Sequence, residues 1–408
     1  MLRRILLTAA MCALPVIAQE AEYGISVPVT ASFGAMDTHR FNFGDPNASP
    51  AAANFRLMLY PTLRLGKHWF AYAAVQVRRR PYYYYDAFLP ERGMDADIIQ
   101  GFLGYTFRTG PATVVFKAGQ LNTAFGSFPQ RYDDAENPLI DQPFSYITQV
   151  TLRTDQLSCG TADLLRQFYG SVEAGCGGEA GRDHGTYPVT LYGLPGVQGE
   201  VSIHKFDARV QMTTSSPAYP DGWKISRQYL QATVGGGFSI SQGFRVGVSA
   251  FRGPYLESSV SPWLPGGTTV RSFPAVGRGL DVQWARGRFS ANGELHRFRL
   301  EAPNFVVHPE VSSVYAEVKG RITPRLYAAV REGYFWSGTV SDKYGVSAPS
   351  FLPAMRATEV GFGFWVMPRV LFKTSYVYQT IAGSSGTKSN VLGMQLVATF
   401  KQLQWAFR

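Results

Sequence analysis

The chain has 408 residues, a formal net charge of +10, 45% hydrophobic residues and 42 glycines. Beyond its opening segment it holds no run of roughly 18 consecutive apolar residues, which excludes membrane-spanning helices but fits a secreted β-protein or a barrel whose apolar and polar faces cancel in the average. The positive surplus suits nucleic acid, anionic lipid headgroups or anionic solutes, and export removes nucleic acid from these partners.

Export is read from the start. Met1-Leu2-Arg3-Arg4 is a basic cluster, Ile5 to Ile17 is almost wholly apolar, and small residues close the run at Ala18, ahead of Gln19 and Glu20. This is the pattern of a secretory signal peptide spanning residues 1–18, leaving a mature chain of 19–408. Cys12 follows Met11, too bulky a residue for lipid attachment.

From Tyr23 onward the sequence alternates. Tyr23, Ile25, Val29, Ala31 and Phe33 share one phase opposite Gly24, Ser26, Thr30 and Ser32, which is a strand period. Four more such segments follow: 55–65, 69–77, 98–107 and 113–119. The stretch from Gln120 to Gly196 then breaks the period and is rich in Gly, Pro and Asp, and eleven further alternating segments run from Val197 to Lys401. Within the irregular stretch, Phe144 to Thr151 and Tyr187 to Leu191 are the one place where another hairpin would change the count. A structureless insertion of such length inside a compact domain is expected only where it serves a function.

Short connections near Gly66, Gly110, Lys205, Gly243, Gly287, Ile322 and Pro368 alternate with long ones near Pro46, Tyr84, Pro220, Pro265, Val307, Ser347 and Gly383. Aromatic residues on the apolar phase, Trp69, Phe107, Phe238, Phe244, Trp284, Phe289, Phe364, Phe372 and Phe400, adjoin the short turns as an interfacial girdle would. The expected fold is therefore an all-β, transmembrane, antiparallel up-and-down β-barrel of about 16 strands. Its loop between strands 5 and 6, residues 120–196, folds inward as a constriction. Pro28 and Pro61 lie inside strands and call for bulges. At the far end, Trp405 and Phe407 alternate in the opposite phase to Leu396, Ala398 and Phe400, so either a bulge intervenes or the barrel ends at Phe400.

The polar phase, turned to the lumen, carries Arg56, Arg64, Arg78, Arg80, Lys117, Arg209, Arg245, Arg331 and Lys373 against fewer acids, among them Asp281, Glu294, Glu317 and Glu359. A sixteen-stranded interior is wide enough to keep them hydrated. The irregular stretch supplies Asp133, Asp134, Glu136 and Asp141 beside Arg131. Folded inward, these carboxylates would face Arg56, Arg78, Arg80 and Lys117 across the narrowest section and set ion preference. Cys159 and Cys176 are an even pair in an exported chain and point to a disulfide. Inside it, Thr161 would cap a short helix through Leu164, Leu165 and Phe168.

The run Ala118-Gly119-Gln120, Phe125-Gly126, Arg131 and Asn137-Pro138-Leu139-Ile140 resembles the start of the constriction loop in Gram-negative outer-membrane porins, of the general diffusion and phosphate-selective types. The resemblance implies a homotrimer in the outer membrane, embedded in lipid and lipopolysaccharide, that passes small hydrophilic solutes. Phosphate selectivity does not carry over, because the loop has no lysine ladder. Tyr82 to Tyr85, after Arg78-Arg79-Arg80, read as an interface loop or as a stacking surface for sugars or bases.

No GxSxG, HExxH or P-loop pattern occurs, and neither an enzymatic activity, a cofactor nor a metal site is expected. The basic wall points to a porin with mild anion preference. The competing reading is a non-conducting barrel, blocked by its cysteine loop, that serves adhesion or sheathes a surface complex.

Overall fold

The computed structural model describes residues 23–37, 51–80, 93–131, 133–148, 150–168, 176–177, 185–189, 191, 193–214, 230–382, 388–400 and 404–407. The signal peptide and Tyr82 to Tyr85 lie outside them.

Sixteen antiparallel strands form the barrel. They are β1 (Tyr23–Ser26 and Val29–Asp37), β2 (Ala51–Leu59 and Thr62–Leu65), β3 (Trp69–Arg80), β4 (Gly93–Thr109), β5 (Ala112–Leu121), β6 (Leu194–Ile203), β7 (Phe206–Thr213) and β8 (Gln231–Ser241). There follow β9 (Phe244–Pro254), β10 (Pro274–Arg286), β11 (Phe289–Leu300), β12 (Glu310–Arg321), β13 (Leu326–Ser337), β14 (Met355–Met367), β15 (Val370–Ile381) and β16 (Lys388–Phe400 and Gln404–Phe407). Each pairs with its chain neighbour, β5 with β6 across the long insertion, and β16 closes on β1. Closure satisfies every strand edge, which a lipid environment requires.

The period-two pattern sorts the side chains as it should. Val248 is 61% exposed whereas Ser249 beside it is 6% exposed, so the apolar phase faces outward and the polar phase inward. Girdle residues Trp69, Phe238, Trp284, Phe289, Phe364 and Phe400 are exposed on that outer face. The outward charges Arg297 and Glu332 pair with Glu310 and Arg356.

The prolines do not form bulges. Pro28 and Pro61 interrupt β1 and β2 opposite one another, and the pairing keeps one register on both sides, from Val29 with Leu59 to Ser26 with Thr62. Each proline still accepts: the Tyr60 N–H donates to the Pro28 carbonyl at 3.0 Å and the Ala73 N–H to that of Pro61 at 2.9 Å. Only the donor a proline lacks is missing from the ladder.

At the far end the bulge alternative holds. Val29 pairs with Phe400 and Ser26 with Gln404, so four positions on β16 oppose three on β1. This extra residue inverts the phase, and the barrel continues to Phe407, paired with Tyr23.

Between β5 and β6, Val150–Arg153 pairs with Gly185–Thr186 in a two-stranded sheet separate from the barrel. Cys159 and Cys176 form a disulfide, worth roughly 3 kcal/mol in the chain-entropy model for a loop of this size. The helix Thr161–Phe168 lies inside it. Thr161 does not cap that helix: its hydroxyl donates to the Val346 carbonyl, and the Asp342 carboxylate from a distant loop accepts the Thr161 N–H at 2.9 Å. Phe125, Phe128, Phe144, Leu152 and Leu164 of the insertion share one apolar core with Tyr255, Val260, Phe305 and Phe351 of later loops and with Phe298 and Phe335 of β11 and β13.

Candidate functional site: a loop fastened to one arc of the inner wall

Between Asn122 and Tyr146 the described residues of the insertion are bonded at many points to inward side chains of the barrel. At β7 and β9, Arg209 Nε and Nη2 donate to the carbonyls of Ala124 and Gly126 at 2.8 and 2.6 Å, and the Gly126 N–H donates to Ser249 Oγ. At β11 the Glu294 carboxylate, fully shielded from solvent, accepts from Ser127 Oγ at 2.8 Å, the Phe128 N–H at 2.6 Å, the Tyr315 hydroxyl at 2.8 Å and the Tyr146 hydroxyl at 2.5 Å. A carboxylate accepts several such bonds at once, and charge assistance makes each strong.

Arg331 of β13 is the second anchor. Its guanidinium holds Glu317 of β12 at 2.6 Å and Glu359 of β14 at 3.2 Å, and also donates to the Asp141 carbonyl and the Asn137 side chain. Glu359 in turn accepts the N–H groups of Ile140 and Asp141. Lys373 of β15 donates to the carbonyls of Asp134, Asn137 and Leu139. The segment thus leaves β7, crosses to β15, β1 and β2 near residues 133–134, and returns past β13 and β12 to β11.

Each expected site residue has a definite place. Arg56, 3% exposed, binds Asp134 at 2.8 Å and Gln76 at 2.7 Å, while Ser32 Oγ donates to the other Asp134 oxygen. Asp133 accepts from the Tyr60 hydroxyl at 2.5 Å and from the Ala135 N–H. Asp141 contributes its backbone to the Arg331 anchor, with Oδ1 accepting the Gln142 N–H. Glu136 is exposed. Arg131 turns to β12, donating to the Tyr315 hydroxyl at 3.0 Å and lying 3.5 Å from Glu317.

The expected confrontation of loop carboxylates with the arginine cluster is realised at Arg56 and Asp134. Arg78 pairs within the wall, 3.9 Å from Asp95 of β4, and Lys117 pairs with Glu200 of β6 at 2.6 Å. Arg80 ends β3 opposite Gly93, with its side chain outside the described residues. The wall charges beneath the loop are not hydrated: Arg331, Glu317, Glu359 and Lys373 are all buried, because the loop takes the place of water. Sequence reasoning placed these four on the lumen wall but missed their role, and it missed Tyr146, Tyr315 and Tyr60 altogether. Tyr315 was within reach, since it shares a strand phase with Glu317. Nothing in the sequence marks Tyr146.

Ser127, Glu294 and His296 also come together, but as an anchor. Both Ser127 Oγ and His296 Nε2 contact the carboxylate, at 2.8 and 2.9 Å, which puts the acid between serine and histidine rather than the histidine between the other two.

A closed barrel of sixteen strands, apolar outside and polar within, is an outer-membrane β-barrel of the porin fold. No protein-family model matches the chain, and no curated protein matches it. Solved structures do. OmpT, an outer membrane protein of Vibrio cholerae, is similar with a TM-score of 0.55 at 9% identity, over 94% of this chain and 99% of that chain. The OmpF structure from Salmonella typhi in complex with daunomycin matches with a TM-score of 0.55 at 8% identity, over 92% and 97%. The outer membrane channel DcaP of Acinetobacter baumannii matches with 0.51 at 10%, over 93% and 97%. At these identities the likeness is one of fold.

Proposed function

We propose that the chain is a porin, exported by its signal peptide and assembled as a homotrimer in the outer membrane among lipid and lipopolysaccharide, where it passes small hydrophilic solutes down their gradient. It is not an enzyme. The observation that carries this reading is the asymmetry of the inner wall: the loop is bonded to the arc from β7 through β15 to β2, whereas Arg78, Lys117 and Glu200 on β3, β5 and β6 pair along the wall and keep partial exposure. A loop fastened along twelve of the sixteen strands narrows a channel toward the remaining wall of β3 to β6. Mild anion preference follows from exposed Arg64 on the inward phase of β2 and from part-buried Arg209, whose guanidinium bonds backbone carbonyls. Trimeric OmpT and the anion-selective porin of Comamonas acidovorans, both of this fold, support the assembly and the selectivity by analogy.

Single-channel recording in planar bilayers tests this. Stable conductance steps and a reversal potential on the anion side are expected, with the preference reduced in Arg78→Glu. Folded protein that gives no steps overturns the channel reading. That result would favour the second reading, a blocked barrel for adhesion or as a sheath, which the apolar core shared by the insertion and the outer loops supports.

A further inference from the structure

The wall beside the loop's tip carries a row of rings that the loop's anchoring uses only at Tyr60. Tyr60, Tyr72, Phe102 and Phe70 form a continuous row of half-buried rings on the inward phase of β2, β3 and β4. Ring centroids are 6.5 Å apart for Tyr60 and Tyr72, with planes 23° apart, 5.5 Å for Tyr72 and Phe102, and 5.9 Å for Phe102 and Phe70. The tip of the Phe70 ring reaches Gly104, where an added Cβ would sit 2.2 Å from its Cζ, so only a glycine leaves room for the ring. The Tyr60 hydroxyl is held by Asp133, which brings the loop tip to one end of the row. Beside Phe102, on β5, Lys117 Nζ lies 5.4 Å from that ring and 2.6 Å from Glu200, and Gln198 Nε2 donates to the same carboxylate.

Aromatic rings on a hydrated wall cost free energy unless something uses their faces. The flanking polar groups say what. An anionic ligand would be met by an excess of cations, but here Lys117 stands with Glu200 and Gln198, Arg64 opposite Phe70 and Asp133 on Tyr60, two cations and two carboxylates that offer donors and acceptors with no net charge. A neutral solute with an apolar ring face and a rim of hydroxyls fits both parts. We propose that this row is a binding subsite for sugars on the inner wall, with successive rings spaced to engage more than one pyranose unit. The inference rests on the porin reading for its role in transport but not for binding itself.

Isothermal titration of maltotriose and of glucose into detergent-solubilised protein tests it, alongside maltotriose-induced interruptions of single-channel current. Maltotriose is expected to bind at least tenfold more tightly than glucose. Tyr72→Leu and Phe102→Leu are each expected to weaken it at least tenfold with heat-modifiable migration unchanged, and Tyr72→Phe to retain it. Equal affinity in the leucine variants, or no binding heat from folded wild-type protein, overturns the subsite even if the channel conducts. Ring-dependent binding by a protein that shows no conductance supports the subsite and overturns the channel reading alone.

Discussion

The two arcs of the inner wall use similar residues to opposite ends. Under the loop, Arg331 is 4% exposed and Glu317 1% exposed, each with several partners from both wall and loop. On the opposite arc, Lys117 and Glu200 side chains keep 19% and 28% of their surface. What separates them is whether backbone covers the pair. A buried charge network is favourable only where partners compensate its members, and there the loop's N–H groups reach Glu359, its Asp141 carbonyl accepts from Arg331 and its Arg131 lies 3.5 Å from Glu317. An ion pair left facing water contributes little to stability and stays able to meet solutes.

The largest effect is expected from breaking the covered network. Arg331→Met removes the cation and leaves Glu317 and Glu359 buried without it, which costs about 3–5 kcal/mol when a buried pair loses one partner. The expected outcome is a lower unfolding midpoint in urea, protease cleavage between Asn122 and Tyr146, and larger single-channel conductance as the loop leaves the wall. A variant as protease-resistant as wild type would show that the apolar core holds the loop without the network.

A smaller, pH-dependent effect is expected where the insertion meets the outer loops. The Thr161 N–H foremost, with those of Val346 and Tyr344, holds the Asp342 carboxyl below its ordinary value. A carboxyl with a depressed folded-state pKa contributes stability that is complete above the unfolded value, about 3.9, and is lost as pH falls through the folded one. Limited proteolysis of the cysteine loop should therefore rise as pH drops below that window in wild type, and Asp342→Asn should flatten the dependence. The same acid profile in both proteins would exclude Asp342 as its source.

Strand alternation reads one residue at a time and depends on nothing distant, so the sixteen strands, the girdle and the limits of the insertion near Gln120 and Gly196 were legible in the sequence. The site was legible only in part. That Arg331 and Lys373 face inward is a matter of phase, but that a loop some 190 to 240 positions away bonds them depends on how the insertion crosses the lumen, and its irregular sequence carries no period to say so. The Thr161 cap failed for the same reason. A threonine at a helix start is a sound local rule, yet Asp342 reached that N-terminus from a loop far along the chain.

The smallest stability effect belongs to the uncovered arc, and there function and stability should separate. Asp95 lies 3.9 Å from Arg78 with 27% of its side chain exposed, so Asp95→Asn is expected to change unfolding stability by less than about 1 kcal/mol. It also deletes one lumenal carboxylate beside Arg78, which should move the reversal potential further toward anions, the direction opposite to Arg78→Glu. A stability loss as large as that of Arg331→Met would mean that the arc is covered after all. An unmoved reversal potential would place this pair outside the ion path, leaving Lys117 and Glu200 as the charges that passing solutes meet.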